Sequence, residues 1–172
     1  NNSANLNDKT APTIASVTTA SDNKSIAVTF SESVFNTNGG SGVLDSADFA
    51  LSITGGTATL ISKTPTEISI NNNIYTLVIS LSGTADGSEV LTVNPVENAI
   101  YDAAGNPSDT TQSNNSANLN DKTAPTVSSF KLESNNSTIE ATFSETVFSK
   151  SDGSSALETT DFVLTLQGGE AT

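Results

Sequence analysis

The stretch "SIAVTFS", residues 25–31, puts Ile26, Val28 and Phe30 on one face of an extended chain. Successive side chains of a strand point to opposite faces, so this alternation marks a strand with one face buried. The same rhythm recurs in "DFALSI" (48–53), with Phe49, Leu51 and Ile53, and in "IYTLVISL" (74–81), with Tyr75, Leu77, Ile79 and Leu81. Residues 14–18, 57–62, 67–70, 89–94 and 108–113 are further strand candidates. Between them lie "ASDNKS", "NTNGGSG", "NNN" and "GTADGSE", rich in residues that favour turns. No segment has helical periodicity, although "ENAIYD" (97–102) suits a single turn. Many short strands broken by such clusters predict an all-β fold, an antiparallel β-sandwich.

Composition narrows the function. Nineteen acids face six bases, every one a Lys, for a net charge of −13. That balance argues against nucleic acid, because phosphates need a basic surface. It suits a secreted acidic protein, or one whose carboxylates are neutralised by bound cations. The chain has no Cys and no His, which removes the thiol nucleophile and the commonest general base. It also removes the usual zinc and copper ligands, leaving a hard, oxygen-seeking cation as the metal class that fits. Nothing reads as a signal peptide or a membrane span.

A shift of 113 residues aligns residues 1–59 with residues 114–172 without a gap, at 33 identities in 59 positions. The thirteen residues "NNSANLNDKTAPT" recur unchanged at 1–13 and 114–126. The boundaries expected are a linker at 1–13, a complete repeat at 14–113, a second linker at 114–126, and the front half of a second repeat at 127–172. The missing strands of that second repeat are expected in a longer parent chain, and its front half alone should make no stable core.

Within this frame "DKTAPTI", "VTFSESV", "DGSEVLTV" and "IYDAAGN" follow one another through the first repeat. Together they resemble the immunoglobulin-like tandem repeats of large bacterial surface proteins such as giant adhesins and S-layer proteins. The resemblance implies an immunoglobulin-like β-sandwich in an extracellular, cell-surface chain whose partners are its own neighbouring repeats. "NLNDKTAP" also resembles the calcium-binding junction of cadherins, with Asn5 in place of the first acid and one extra residue between Asp8 and the Pro. "DSA" (45–47) and "DTT" (109–111) resemble short O-glycosylation signals of one group of Gram-negative surface proteins.

Topology places the acids. If the chain enters at the top, residues 14–18 run down, turn at Asp22 and Asn23, and residues 25–31 return, which sets Glu32 at the top beside Asp8. A last strand that runs down puts its preceding loop, "YDAAGN", at the top as well. Asp8, Glu32 and Asp102 should therefore meet, with Asn106 close by. Three carboxylates in contact repel by roughly 1–4 kcal/mol per pair, so either their pKa values rise or a cation sits among them. Calcium accepts carboxylate, amide and backbone oxygens. Asp121 and Glu145 occupy the matching positions of the second copy. Plain turn chemistry is the competing reading of all these residues. Asp86 and Glu89 should lie at the bottom, near the next junction, and there an ordinary hairpin turn is the better reading. Asp48 and Asp161 read as local caps, and Phe30, Phe35 and Phe49 as core.

The function expected is that of a structural extender, its junctions stiffened by calcium. The alternative is a glycan- or protein-binding module, for which Tyr101 is the one candidate platform. An enzyme is the third class. Glu32 and Asp102 would be its acid pair, but a site recurring in each repeat is odd for catalysis.

Overall fold

The computed structural model describes residues 6–165, 167 and 168. Residues 1–5 of the first linker, with Asn5, and residues 166 and 169–172 lie outside the described residues. The chain forms two compact units, Asn1–Thr123 and Ala124–Thr172. The first contains β1 (Ile14–Thr19), β2 (Ser25–Phe30), β3 (Phe49–Thr54), β4 (Thr59–Leu60), β5 (Glu67–Asn71), β6 (Ile74–Val78), β7 (Leu81–Ser82), β8 (Val90–Pro95) and β9 (Ser116–Asn118); the second contains β10 (Val127–Leu132) and β11 (Ile139–Phe143). No helix among the described residues is long and apolar enough to cross a membrane.

Strands β1-β2-β6-β5 form one sheet of the first unit and β3-β8-β9 another, with β4-β7 a short third pair. Every ladder is antiparallel. The alternation read in the sequence is the packing: Ile26, Val28 and Phe30 of β2 and Tyr75 and Leu77 of β6 share one core with Phe49 and Leu51 of β3 and Leu91 and Val93 of β8. Phe30 and Tyr75 meet edge to face, with ring centroids 5.5 Å apart, the geometry that the ring quadrupoles favour. The fold is all-β, antiparallel sheets closing on one core as a β-sandwich does. Phe35 is half-buried and bridges Tyr101 rather than joining that core.

The last strand is not where the sequence put it. Residues 108–113 form no strand. Instead Ser108 Oγ donates to Pro12 O at 2.9 Å, and Gln112 Oε1 accepts from Ile14 N at 2.8 Å, fastening the start of the chain to the body. The terminal strand is β9, inside the segment read as the linker 114–126. It pairs with β8 through Val90↔Asn118, Leu91↔Ala117 and Thr92↔Ser116. Asn115 and Leu119 at its ends are buried, and Asn115 Nδ2 donates to Val93 O at 2.9 Å. A short edge strand with one face in solvent needs few apolar residues, so its composition looks like that of a loop. The first unit therefore runs on to Thr123 instead of ending at 113.

Beyond β9 the chain is clamped by Asn23, which sits in the β1–β2 turn with φ of 59°. Asn23 Nδ2 donates to Asn120 O at 2.7 Å, and Asn23 Oδ1 accepts from Asn120 N at 2.9 Å. Replacing Asn23 with Gly keeps the left-handed backbone but removes these two bonds and the one that Asn120 Nδ2 donates to Asn23 Oδ1, and should cost about 1–2 kcal/mol in urea unfolding. Replacing it with Ala adds the left-handed strain, for a total of about 2–4 kcal/mol.

The second unit reproduces β1, β2 and the 3-10 turn that precedes β3 in the first. The register shift of β1–β2 at Ile14/Ser16 returns in β10–β11 at Val127/Ser129. The 3-10 turn Ser46–Asp48 returns as Thr159–Asp161. Phe30 and Phe49, 6.3 Å apart at 52°, correspond to Phe143 and Phe162, 6.5 Å apart at 51°. Residues 162–164, which match part of β3, form no ladder, and Phe130, Leu132, Phe162 and Leu164 are exposed. In the first unit the matching Phe49 and Leu51 are buried in the core, and Val17, the match of Phe130, packs against it.

Candidate metal centre

The lead-in to β1 is fixed at several points. Asp8 Oδ1 accepts from Thr10 N at 2.8 Å, closing a turn typical of aspartate. Pro12 is buried, and Thr13 exchanges bonds with Ser31 at the end of β2, through Ser31 Oγ at 3.0 Å and Ser31 N at 2.9 Å. These contacts lay Asp8 beside Glu32, the residue after Ser31. Tyr101, paired with Phe35 and Pro107, opens the turn that carries Asp102 to the same place. One carboxylate oxygen from each of Asp8, Glu32 and Asp102 lies within 4.8 Å of the others. Among the described residues no other trio of acidic, His or Cys side chains converges in this way.

The three acids differ in surroundings. Asp102 is fully buried, and its two oxygens accept from Asn106 N and Asn106 Nδ2, both at 2.7 Å. Burial pushes its pKa up, but these bonds, together with the backbone N–H groups of Ala104 and Gly105, outweigh burial and hold it below the ordinary aspartate value. Glu32 has no such donors. Burial, then Asp102, then Asp8 raise its pKa. Asp102 is thus favoured as an anion, while Glu32 is pushed toward neutrality by burial first and by that neighbouring charge second, a repulsion that a cation would relieve.

The donor set, three carboxylates, is the oxygen-only kind that hard cations such as calcium take. Oxygens each about 2.4 Å from a shared ion lie at most about 4.8 Å apart, the limit this trio meets. Asn106 sits in the cluster as expected, but its amide nitrogen faces Asp102 Oδ2 and, at 3.2 Å, Asp8 O. In this arrangement it positions the carboxylates and holds the lead-in segment against them.

Asp121 repeats the local turn of Asp8, accepting from Thr123 N at 2.8 Å, and it belongs to the first unit. Glu145 belongs to the second unit, where Ser144 repeats the exchange with Thr126 seen between Ser31 and Thr13. The position that would match Asp102 lies past residue 172. At the bottom of the first unit, Lys122 N donates to Ala85 O at 2.8 Å, and Thr123 Oγ1 to the same oxygen at 3.1 Å. The 85–89 loop and the outgoing segment are therefore docked together, as the sequence suggested for Asp86 and Glu89.

Sequence reasoning missed what Glu89 does there. It is fully buried, and its carboxylate accepts backbone N–H bonds from Thr57, Ala58, Asp86 and Gly87 at 2.8–3.2 Å. The available signal was "GGT" (55–57): a Cβ on Gly56 would fall 2.1 Å from the Glu89 carboxyl carbon, so only Gly leaves room. Asp86, by contrast, closes its own turn onto Ser88. Asp48 and Asp161 act as caps, accepting from Asp45 N and Glu158 N. The acids of the two glycosylation-like motifs also close turns, Asp45 onto Ala47 N and Asp109 onto Thr111 N. Tyr101 donates its hydroxyl to Asn98 O at 2.8 Å, which occupies the polar end of the one aromatic platform.

Compared with family models, curated proteins and solved structures, the chain matches none.

Proposed function

We propose that this chain is a structural extender: immunoglobulin-like tandem repeats of a long extracellular bacterial surface protein, with calcium stiffening the start of each repeat. The observation that carries the reading is the convergence of Asp8, Glu32 and Asp102 from three separate parts of the chain. Sheet order supports the fold assignment. Labelled by pairing, β1-β2-β6-β5 reads A-B-E-D and β3-β8-β9 reads C-F-G, the strand order of a constant-type immunoglobulin domain. The unchanged thirteen-residue segment then has two jobs. "SAN" forms strand β9, while the bonds at Asp8, Pro12 and Thr13 hold its later residues against the top of the first unit.

Calcium would supply charge neutralisation and a cross-link. Asp8 lies on the lead-in segment, whereas Glu32 and Asp102 belong to the body, so oxygens shared around one ion tie the two together. Asn106 and the Asp8 turn hold those oxygens in place beforehand, which lowers the ordering cost of binding. A polar tether without this attachment behaves as a flexible coil.

The test is small-angle scattering of a chain in which residues 7–119 are repeated in tandem and the last copy is ended by residues 120–123, which keeps the 113-residue spacing of the sequence. With calcium the particle should be longer and its scattering profile that of a stiff rod. With EGTA it should shorten and broaden toward a flexible pair. Identical profiles in the two buffers would refute calcium stiffening.

A further inference from the structure

The loop "NTNGGSG" (36–42) holds Asn38-Gly39, the sole Asn-Gly pair of the sequence. Asn38 and Gly39 are both exposed. Gly39 has φ of 123°, and a Cβ there would meet nothing within 4 Å. Its backbone nitrogen donates no hydrogen bond among the described residues. The side chain of Asn38 lies against the turn of the metal centre: its Oδ1 is 2.2 Å from where a Cβ of Gly105 would stand. Gly105 lies within the turn that Asp102 and Asn106 close.

We propose that Asn38 is a spontaneous deamidation site whose product adds a fourth carboxylate at the edge of the Asp8, Glu32 and Asp102 cluster. Gly39 N attacks Asn38 Cγ, the Cγ–Nδ2 bond breaks, and the side-chain nitrogen leaves as ammonia with the proton from Gly39 N. Solvent water then opens the cyclic imide at one of its two carbonyls, giving aspartate or isoaspartate. With no side chain on residue 39 and no hydrogen bond on its nitrogen, neither sterics nor pairing opposes the attack. The equivalent loop of the second unit already tolerates an acid: Asp152 matches position 39 and closes onto Ser154 Oγ and N. The added charge moves both states of the centre. Without a cation it increases the repulsion, and with calcium, which rests on the function proposed above, it tightens the hold by roughly two- to tenfold.

The test is to hold the whole chain at 37 °C and mildly alkaline pH, then map peptides for the mass gain of amide-to-acid exchange. Asn38→Gln serves as the unreactive control and Asn38→Asp as the product mimic. Amide loss concentrated at Asn38 supports the site, and amide loss spread over the other Asn residues overturns it. A lower melting temperature in EGTA for the aged chain and Asn38→Asp than for Asn38→Gln supports adjacency to the cluster, and equal melting overturns it. If no form responds to calcium, the calcium reading and the predicted tightening fall together. The mapping and the EGTA melt still decide where the new charge forms.

Discussion

At a free calcium level of one hundred times its dissociation constant, the first unit should gain about 2.7 kcal/mol of stability. For a domain of this size that is a rise in melting temperature of about 10 °C, read by calorimetry against EGTA. Two substitutions separate ion binding from turn chemistry, because they act in opposite directions without calcium. Glu32→Gln removes a carboxylate that burial, Asp102 and Asp8 all disfavour as an anion, so in EGTA it should stabilise by about 0.5–1 kcal/mol. Asp102→Asn removes an acceptor of the Asn106 N–H groups inside a buried turn, so in EGTA it should destabilise by about 1–3 kcal/mol. Both should lose most of the calcium response. If the trio were only turn chemistry, calcium would not move the wild-type transition, and that result would remove the metal centre from the account.

The strands that build the core were readable because their physics is local. In "SIAVTFS" and "DFALSI" every second residue is apolar, and β2 and β3 bury those side chains. Asp8 and Glu32 were readable for a topological reason: a strand that descends and one that returns bring Glu32 back to the level of Asp8. Asp102, by contrast, was placed by a last strand at 108–113 that does not form, and its turn is held instead by the bridges of Tyr101 to Phe35 and Pro107. Strand β9 was unreadable from "SAN" because its drive lies in its partner. Leu91 and Val93 of β8 are buried, and β9 contributes backbone bonds and the flanking Asn115 and Leu119. Residues 108–113 misled in the opposite direction, since Ser108 and Gln112 bond to the lead-in segment instead of a ladder. Residues 162–164 have the strand pattern without the strand, because no β8 equivalent pairs with them among the described residues. Glu89 was hidden for another reason. An acid after "DGS" looks like turn surface, and only the closed loop shows four backbone N–H groups aimed at it.

Replacing Glu89 should have the largest effect of any single substitution in the first unit. Alanine would leave the N–H groups of Thr57, Ala58, Asp86 and Gly87 without their acceptor in a buried site, at about 3–5 kcal/mol, a large share of the 5–15 kcal/mol that holds a domain together. Glutamine is the more informative variant. Its oxygen can still serve Thr57 and Ala58, but its amide nitrogen would face the donors that Glu89 Oε2 accepts from Asp86 and Gly87, so about half the loss should remain. The exit of the chain hangs on the same loop, so amide exchange at Lys122, bonded to Ala85 O, should quicken in both variants. Acid dependence then separates charge from packing. Burial raises the pKa of Glu89, but the N–H donors outweigh it and hold it below the ordinary value of 4.5. A depressed folded-state pKa means that the stabilisation is fully present above 4.5 and is lost as pH falls through the folded value. The stability gap between wild type and Glu89→Gln, measured by urea unfolding, should therefore be constant near neutrality and narrow in acid. A gap that stays constant at all pH values would mean that the carboxylate fills space without acting as an anion.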